Sequence, residues 1–237
     1  MKSIRIILLA LFFLLLASCG GNTLPDLSAE EVLQNSAETM RAQTGFRFKL
    51  DRDGALAYLD PDKTLAFGSA IGDFIAPDRA RAQVSIIAPA LVTKVRIISV
   101  AEQQWQTNIL SGDWEALPPE FGFNPAVLFD AEIGIQSILT NDTSELVSAE
   151  PERINDGPDE VLYHITGNVS GERIYQLSGT LIGPGELTFE AWVAPETFEL
   201  HRVIVLEPVS GGEEEGEIWQ LDISEFGKSV EIEPPEQ

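Results

Sequence analysis

The single cysteine of the chain, Cys19, is the residue whose position points most directly to chemistry. It follows Ala17 and Ser18, two small residues that come just after an apolar run over residues 6–16 and a short basic lead over residues 1–5. Basic lead, apolar run and small residues are the three parts of a secretory signal peptide. The run is too short to cross a bilayer, because a spanning helix needs about 20 residues. The sequence therefore predicts export, with processing at Cys19.

The sequence Leu16-Ala17-Ser18-Cys19 also matches a bacterial lipobox, a motif in which the cysteine thiol receives a diacylglyceryl group. Cleavage then occurs before the cysteine, and the new amino group is usually acylated as well. Two or three acyl chains anchor a protein firmly, since each buried CH₂ contributes about 0.8 kcal/mol. We therefore predict a signal peptide over residues 1–18, lipid attachment at Cys19, a tether over residues 19–27, and a place in the cell envelope on the exported side of the membrane. The alternative is an ordinary secretory signal that happens to carry a cysteine.

Other chemistry finds little support in the sequence. A lipidated Cys19 leaves no thiol for a disulfide, a metal site or a nucleophile. The chain has no nucleophile elbow, zinc-protease motif, P-loop or dinucleotide fingerprint. His164 and His201 fall in predicted strands without a second ligand residue at metal spacing, which favours structural roles. The carboxylates are abundant, but their spacing singles out no catalytic pair. We expect a protein that is not an enzyme and has no metal or cofactor.

The charge of the chain limits its partners. The formal net charge is −23, and removal of residues 1–18 would delete two basic residues and no acidic ones. Such a protein repels nucleic acid and anionic headgroups, so we expect no nucleic-acid partner. The glutamates at 213–215 could attract a hard cation, but they lack the spaced oxygen ligands of a calcium loop, which favours a solvated hairpin tip.

The remaining sequence predicts helices at the start and in the middle of a sheet-dominated body. Ser28 and Glu31 form a capping box, and apolar residues at helical spacing predict a helix over residues 28–42. The alternation that starts at Phe46 and Phe48 has the period of a strand with one buried face. Residues 92–100 place apolar side chains on both faces, which predicts a strand that is covered on both sides or central in a curved sheet.

A second helical segment is predicted over residues 124–140, where Asn124-Pro125 begins a helix and Gly134 divides it in two. Residues 111–113 have the composition of a hairpin turn. One or two further helical turns are predicted over residues 170–177. Further strands are predicted at 145–154, 160–169, 186–194, 198–207, 217–226 and 229–233. The four tryptophans could line a cavity or fill a core, and their positions in the sequence do not separate the two.

Taken in order, these features resemble the LppX/LprAFG family of bacterial envelope lipoproteins. The resemblance extends from about residue 28 to 235 and includes five stretches: residues 114–118, 124–128, 167–170, 191–193 and 226–232. It implies one α+β domain over residues 28–235, in which a strongly curved antiparallel half-barrel packs on a few helices and encloses an apolar cavity. The acidity of the chain and the glycine- and glutamate-rich loop at residues 211–216 depart from the usual family member.

The resemblance also implies a function: binding of an acylated lipid or glycolipid in the cavity and its transfer through the cell envelope. The identity of a protein partner, such as an envelope transporter or an acceptor protein, stays open. By strand face, we expect the following residues to line the cavity: Phe46, Phe48, Val84, Ile86, Val95, Ile97, Val127 and Leu128. The alternative function is a non-catalytic interaction module tethered at the outer face of the membrane, in which the same side chains close up into an ordinary core.

Overall fold

The structure is a computed structural model that describes residues 24–117, 124–208 and 216–236. Its helices are α1 (Ala29–Ala42), a 3-10 helix (Pro125–Phe129), α2 (Ile135–Asn141) and α3 (Gly171–Leu177). Its strands are β1 (Gly45–Asp53), β2 (Ala57–Tyr58), β3 (Ala66–Ile75), β4 (Arg79–Ala88), β5 (Leu91–Val100), β6 (Gln103–Thr107), β7 (Trp114–Leu117), β8 (Thr143–Ser148), β9 (Tyr163–Ser170), β10 (Glu186–Val193), β11 (Leu200–Glu207) and β12 (Glu217–Ser224).

These strands form one sheet in the order β7-β6-β5-β4-β3-β1-β12-β11-β10-β9-β8, with β2 paired to β3. The pairs between the described strands are antiparallel, and β7 and β8 are left at opposite edges, so the sheet is not closed. Helices α1 and α2 pack together on its concave face. The predicted α+β half-barrel is therefore confirmed as a single domain. The side chains of its described main core lie between Leu24 and Phe226.

Helix α1 begins where the capping box predicts. The amide of Glu31 donates to the Ser28 hydroxyl at 3.2 Å, and the Ser28 amide donates to the Glu31 carboxylate at 2.9 Å. This reciprocal pair satisfies two amides that the first turn leaves without intrahelical partners. The buried residues of α1 share one helical face, at the predicted spacing: Ala29, Val32, Leu33, Ser36, Ala37 and Met40.

The middle of the chain is helical in two pieces, as Gly134 predicts. The Asn124 side chain accepts from the Ala126 amide at 2.9 Å and begins the 3-10 helix, with Pro125 at its first position. Gly134 is the N-cap of α2. The 3-10 helix carries Phe129 into the core, so the two pieces can follow the concave surface of the sheet where one straight helix could not.

Three strand predictions are wrong, wholly or in part. The strand predicted over residues 145–154 is β8, which ends at Ser148. Residues 229–233 form no strand, because the chain turns away at Gly227 (φ 71°) and β1 is already paired on both sides by β3 and β12. In β5, Val95, Ile97 and Ser99 are buried on the concave side, whereas Val92 is 65% exposed. The other face of the strand also carries the exposed residues Lys94 and Arg96, so β5 is covered on its concave side and not on both.

A group of charges on the convex face joins three strands to the C-terminal segment. Asp73 is 3% exposed and lies within 3.3 Å of nitrogen atoms of Arg47, Arg81 and Lys228. Burial alone would raise the pKa of the Asp73 carboxyl, but hydrogen bonds from Lys228 and Arg81 and their charges outweigh it and hold the pKa below its ordinary value. The carboxylate therefore contributes to stability only while it is ionised.

Candidate functional site

The concave face of the sheet encloses a cavity of about 390 Å³ beneath the helices. Its wall is formed by strands from both halves of the sheet together with the 3-10 helix, α2 and α3. Among the residues that line it, Gln106 and Ser178 carry the polar side chains and the others are apolar or aromatic. A close-packed interior has few voids larger than a water molecule, so this volume is well beyond ordinary packing defects. The half-barrel is hollow.

Small residues in adjacent rows of the sheet account for the open space. The register places Phe48, Gly72, Ala82 and Ile97 side by side across four strands. A Cβ atom at Gly72 would lie 2.6 Å from the Phe48 ring, so a glycine is required for that ring to occupy its place. The next row contains Ala70, another small residue. These positions leave volume that larger side chains would fill.

One end of the cavity is closed by aromatic rings, which we call the floor. Phe46, Phe74 and Phe129 contact one another with ring centroids 4.7 to 5.2 Å apart. Such tilted and edge-on pairs are favoured by the ring quadrupoles. The floor lies at the end of the sheet where β3 turns into β4 and β10 turns into β11, and it combines residues distant in sequence.

The other end, which we call the mouth, is surrounded by exposed apolar side chains. It is the end where β4 turns into β5 and β6 turns into β7. Leu59 and Ile109 line the cavity and are 43% and 44% exposed, and Leu110 beside them is 96% exposed. Exposed apolar residues grouped around a concave site are typical of surfaces that receive an apolar ligand or a membrane.

The N-terminal segment joins the body at the floor end. The Tyr163 hydroxyl donates to the Pro25 carbonyl at 2.9 Å, and Tyr163 lies at the start of β9, next to the turn between β10 and β11. Strand β9 spans about 26 Å to α3 at the mouth end. The point at which the described N-terminal segment joins the body and the mouth therefore lie at opposite ends of the domain.

Six of the eight residues expected to line the cavity do so in the structure: Phe48, Val84, Ile86, Val95, Ile97 and Leu128. Phe46 is fully buried in the floor, and Val127 is half-buried on the 3-10 helix outside the lining. Of the tryptophans, Trp219 lines the cavity, whereas Trp192 packs on the convex face against Leu162. Contact of any of these side chains with a ligand stays a prediction. Cys19 and the glutamates at 213–215 lie outside the described residues.

Sequence reasoning missed Arg52, which lies on the concave face at the mouth. β1 and β12 pair Arg52 with Trp219, and the guanidinium carbon is 5.6 Å from the centroid of the Trp219 ring. The Arg52 side chain is 4% exposed, and its Nη2 is 3.5 Å from Oε2 of Glu217. The sequence did contain a signal for this position. The period-two pattern of Phe46, Phe48 and Leu50 continues to Arg52, which places a charged residue on the concave face.

The two histidines lie away from the cavity wall. His164 stacks on Trp192 with centroids 4.5 Å apart, and its Nε2 is 2.7 Å from a Glu190 oxygen. His201 contacts Phe226 edge-on, and burial lowers the pKa of its imidazole against the opposing effect of a hydrogen bond with the Ile223 backbone. Within residues 24–117, 124–208 and 216–236, no three His, Cys, Asp or Glu side chains are grouped to hold a metal ion. In the same ranges no helix is long and apolar enough to cross a membrane.

Two solved structures have the same fold over almost their whole length. LprF from Mycobacterium bovis has a TM-score of 0.66 at 15% identity, covering 87% of this chain and 96% of LprF. The Mycobacterium tuberculosis lipoprotein LppX has a TM-score of 0.59 at 16% identity, covering 86% of this chain and 98% of LppX. At such identities the similarity shows the fold alone. A comparison with curated proteins finds no match.

A family model provides the remaining comparison. The model of LppX_LprAFG lipoproteins matches residues 28–232, a range that extends from the N-cap of α1 to the buried Ile232. The match agrees with the resemblance seen in the sequence and with the two solved structures. The chain therefore belongs to the LppX_LprAFG lipoprotein family.

Proposed function

We propose that this protein is a membrane-anchored lipoprotein that binds an acylated lipid or glycolipid in its cavity and helps transfer it through the cell envelope. The observation that carries the proposal is the apolar cavity of about 390 Å³ between sheet and helices. Its volume falls within the range of roughly 300 to 1,000 Å³ that is typical of ligand pockets. The protein acts without catalysis, as a carrier.

The chemistry of the lining supports an acyl chain as the occupant. An apolar cavity offers water almost no hydrogen bonds, so it stays dry or takes an apolar guest. Each CH₂ group that leaves water for such a site contributes about 0.8 kcal/mol. Leu59 and Ile109 at the mouth continue the apolar wall to the surface, giving a chain a continuous path inward.

The position of the tether supports transfer between two sites. With the chain anchored through Cys19 and joined to the body at the floor end, the mouth reaches the anchoring membrane only when the domain lies on its side. When the domain stands upright, the mouth faces away from that membrane, where an acceptor membrane or an envelope protein could receive the lipid. The same anchored molecule could therefore load and unload.

Lipid transfer between vesicles tests the carrier proposal. We expect the body of the protein, from residue 20 on, to speed the movement of a fluorescent, single-chain acyl lipid from uncharged donor vesicles to uncharged acceptor vesicles, at a rate proportional to protein concentration. The dequenching of the fluorophore measures the rate. Binding without any increase in the transfer rate would contradict the carrier function and leave a lipid-binding protein that holds its ligand.

The anchor is tested by replacing Cys19. In cells fed an alkyne-labelled fatty acid, we expect the parent to take up the label and Cys19→Ala to take up none, because the thiol is the acceptor of the diacylglyceryl group. In-gel detection of the alkyne on the purified protein measures this. The matched control, Asn22→Ala, should be labelled like the parent. Equal labelling of Cys19→Ala would show that the chain is not lipidated there.

A further inference from the structure

Arg52 and Trp219 place polar hydrogen-bond donors at the mouth of a cavity that is otherwise almost wholly apolar. The register pairs the two residues, one row nearer the mouth than Leu50 and Leu221, which line the cavity. Trp219 is 4% exposed, and so is the Arg52 side chain. An arginine is rarely buried to this degree unless its donors have partners.

Three of these donors have no acceptor among the described residues. Nε and Nη2 of Arg52 and Nε1 of Trp219 are fully buried and form no hydrogen bond there. Glu217 neutralises the guanidinium, but 3.5 Å is longer than an ordinary hydrogen bond. Buried donors without acceptors are rare in native proteins and destabilise them, so each needs an explanation. What this site lacks is an acceptor.

The two arginine donors share one edge of the planar guanidinium. The N–H groups on such an edge point in the same direction, so both can donate to one acceptor group. Trp219 adds a third donor at the end of the cavity that an acyl chain would enter. The oxygen atoms next to the first carbons of a lipid chain would meet these donors while the chain occupies the cavity below.

The charged side chains around Arg52 favour a lipid whose head group is uncharged. Glu217 pairs in register with Glu207, so both carboxylates lie on the concave face near Arg52. The Glu207 carboxylate already accepts from the Gly183 amide at 3.1 Å. With two carboxylates and one guanidinium, and a formal chain charge of −23, the site repels an anionic headgroup. An ester carbonyl offers acceptor oxygen without that repulsion.

We propose that Arg52 and Trp219 bind the carbonyl oxygen of an uncharged ester group, so that this protein selects neutral ester lipids over lipids with a free acid head. This rests on the proposed function, because it assumes that the acyl chain lies in the cavity. Arg52 and Trp219 are then the residues that determine which headgroup is accepted, whereas the apolar lining sets only the affinity for the chain.

Three probes with the same chain test the proposal: methyl oleate, oleyl methyl ether, which lacks the carbonyl, and oleate at pH 8. Their affinities for the body from residue 20 on are measured by displacement of a fluorescent acyl-chain probe. Because a hydrogen bond from the charged guanidinium is available to the ester carbonyl and not to the ether, we expect the parent to bind the ester at least about ten-fold more tightly. Oleate should bind more weakly than the ester.

Two substitutions test whether Arg52 and Trp219 cause the preference for the ester over the ether. Arg52→Met should bring the ester-to-ether ratio close to one, and Trp219→Phe, which keeps a ring but loses the donor, should lower it several-fold. Binding of the ether by both variants shows that they are folded with the cavity intact. The control is Arg96→Met, which removes an arginine 4.9 Å from the Trp114 ring on the outside of the sheet and should leave the ratio unchanged.

The outcomes separate this inference from the proposed function. Equal binding of ester and ether by the parent would overturn the role of the donors while leaving the carrier proposal standing. Tighter binding of oleate than of methyl oleate would overturn the selection of an uncharged group. Failure of the parent to bind any of the three probes would contradict the lipid-binding function itself. If Arg52→Met keeps the ester-to-ether affinity ratio of the parent, Arg52 does not bind the carbonyl oxygen.

Discussion

Replacing Ala82 with tryptophan is expected to abolish lipid binding while leaving the domain folded. Ala82 lines the cavity in the same row as Phe48 and Ile97, and the indole would enter the space that the small side chain leaves open. Overpacking a filled core costs about 1 to 3 kcal/mol, whereas a side chain that enters an empty cavity meets little resistance. We expect the affinity for an acyl-chain probe to fall more than ten-fold and the Tm to change by less than about 3 °C.

The matched control for this substitution is the next residue on the same strand. Gln83 lies on the exposed convex face, so Gln83→Trp adds the same side chain outside the cavity and should bind the probe like the parent. Fluorescence titration gives the affinity and thermal unfolding gives the Tm. Normal probe binding by Ala82→Trp would mean that the lipid lies elsewhere, and a fall in Tm of 10 °C would mean that the region is packed rather than hollow.

Asp73→Asn is expected to cause a large loss of stability, because Asp73 is a buried charge on the convex face of the sheet. The substitution removes a buried negative charge from Arg47, Arg81 and Lys228 and loosens the C-terminal segment from β3 and β4. Loss of one partner from a buried ion pair costs about 3 to 5 kcal/mol; because the three cations are partly exposed, we expect roughly 2 to 3 kcal/mol. Urea unfolding at pH 7 measures the free energy of unfolding.

The pH dependence gives this prediction a second readout. The pKa of Asp73 is lower in the folded protein than its ordinary value of 3.8, so its contribution is complete above that pH and is lost as the pH falls through the folded value. The difference in unfolding free energy between parent and Asp73→Asn should therefore shrink below about pH 3.8. Asp51→Asn, which removes an exposed pair with Lys49, should cost less than about 1 kcal/mol. Equal effects of the two substitutions would contradict the structural role of Asp73.

Local patterns in the sequence predicted the elements well. The capping box placed the start of α1, and helical spacing identified its buried face down to Met40. Period-two alternation gave most of the strands and put Phe48, Val84 and Val95 on the concave face. These features depend on neighbours along the chain, so they are readable without tertiary structure. The overall order of the elements was enough to identify the family.

Features that depend on distant residues could not be predicted in the same way. Phe46 alternates with Phe48 and was expected in the lining, but Phe129 packs against it from the middle of the chain and makes it part of the floor. Whether the half-barrel is filled or hollow depends on Gly72 and Ala82 lying in one row, which requires the register of β3 and β4. The 229–233 prediction failed because the chain turns at Gly227 and no strand edge is free there.

Native mass spectrometry of the protein body expressed in bacteria, without its acyl anchor, shows directly whether the cavity holds a lipid. We expect the gently ionised protein to carry additional mass corresponding to about one lipid per chain, organic extraction to release this lipid, and Ala82→Trp to be isolated without it. A parent protein that is isolated empty, and that takes up no acyl-chain probe when one is offered, would contradict lipid binding in the cavity and favour an interaction module that uses its outer surface.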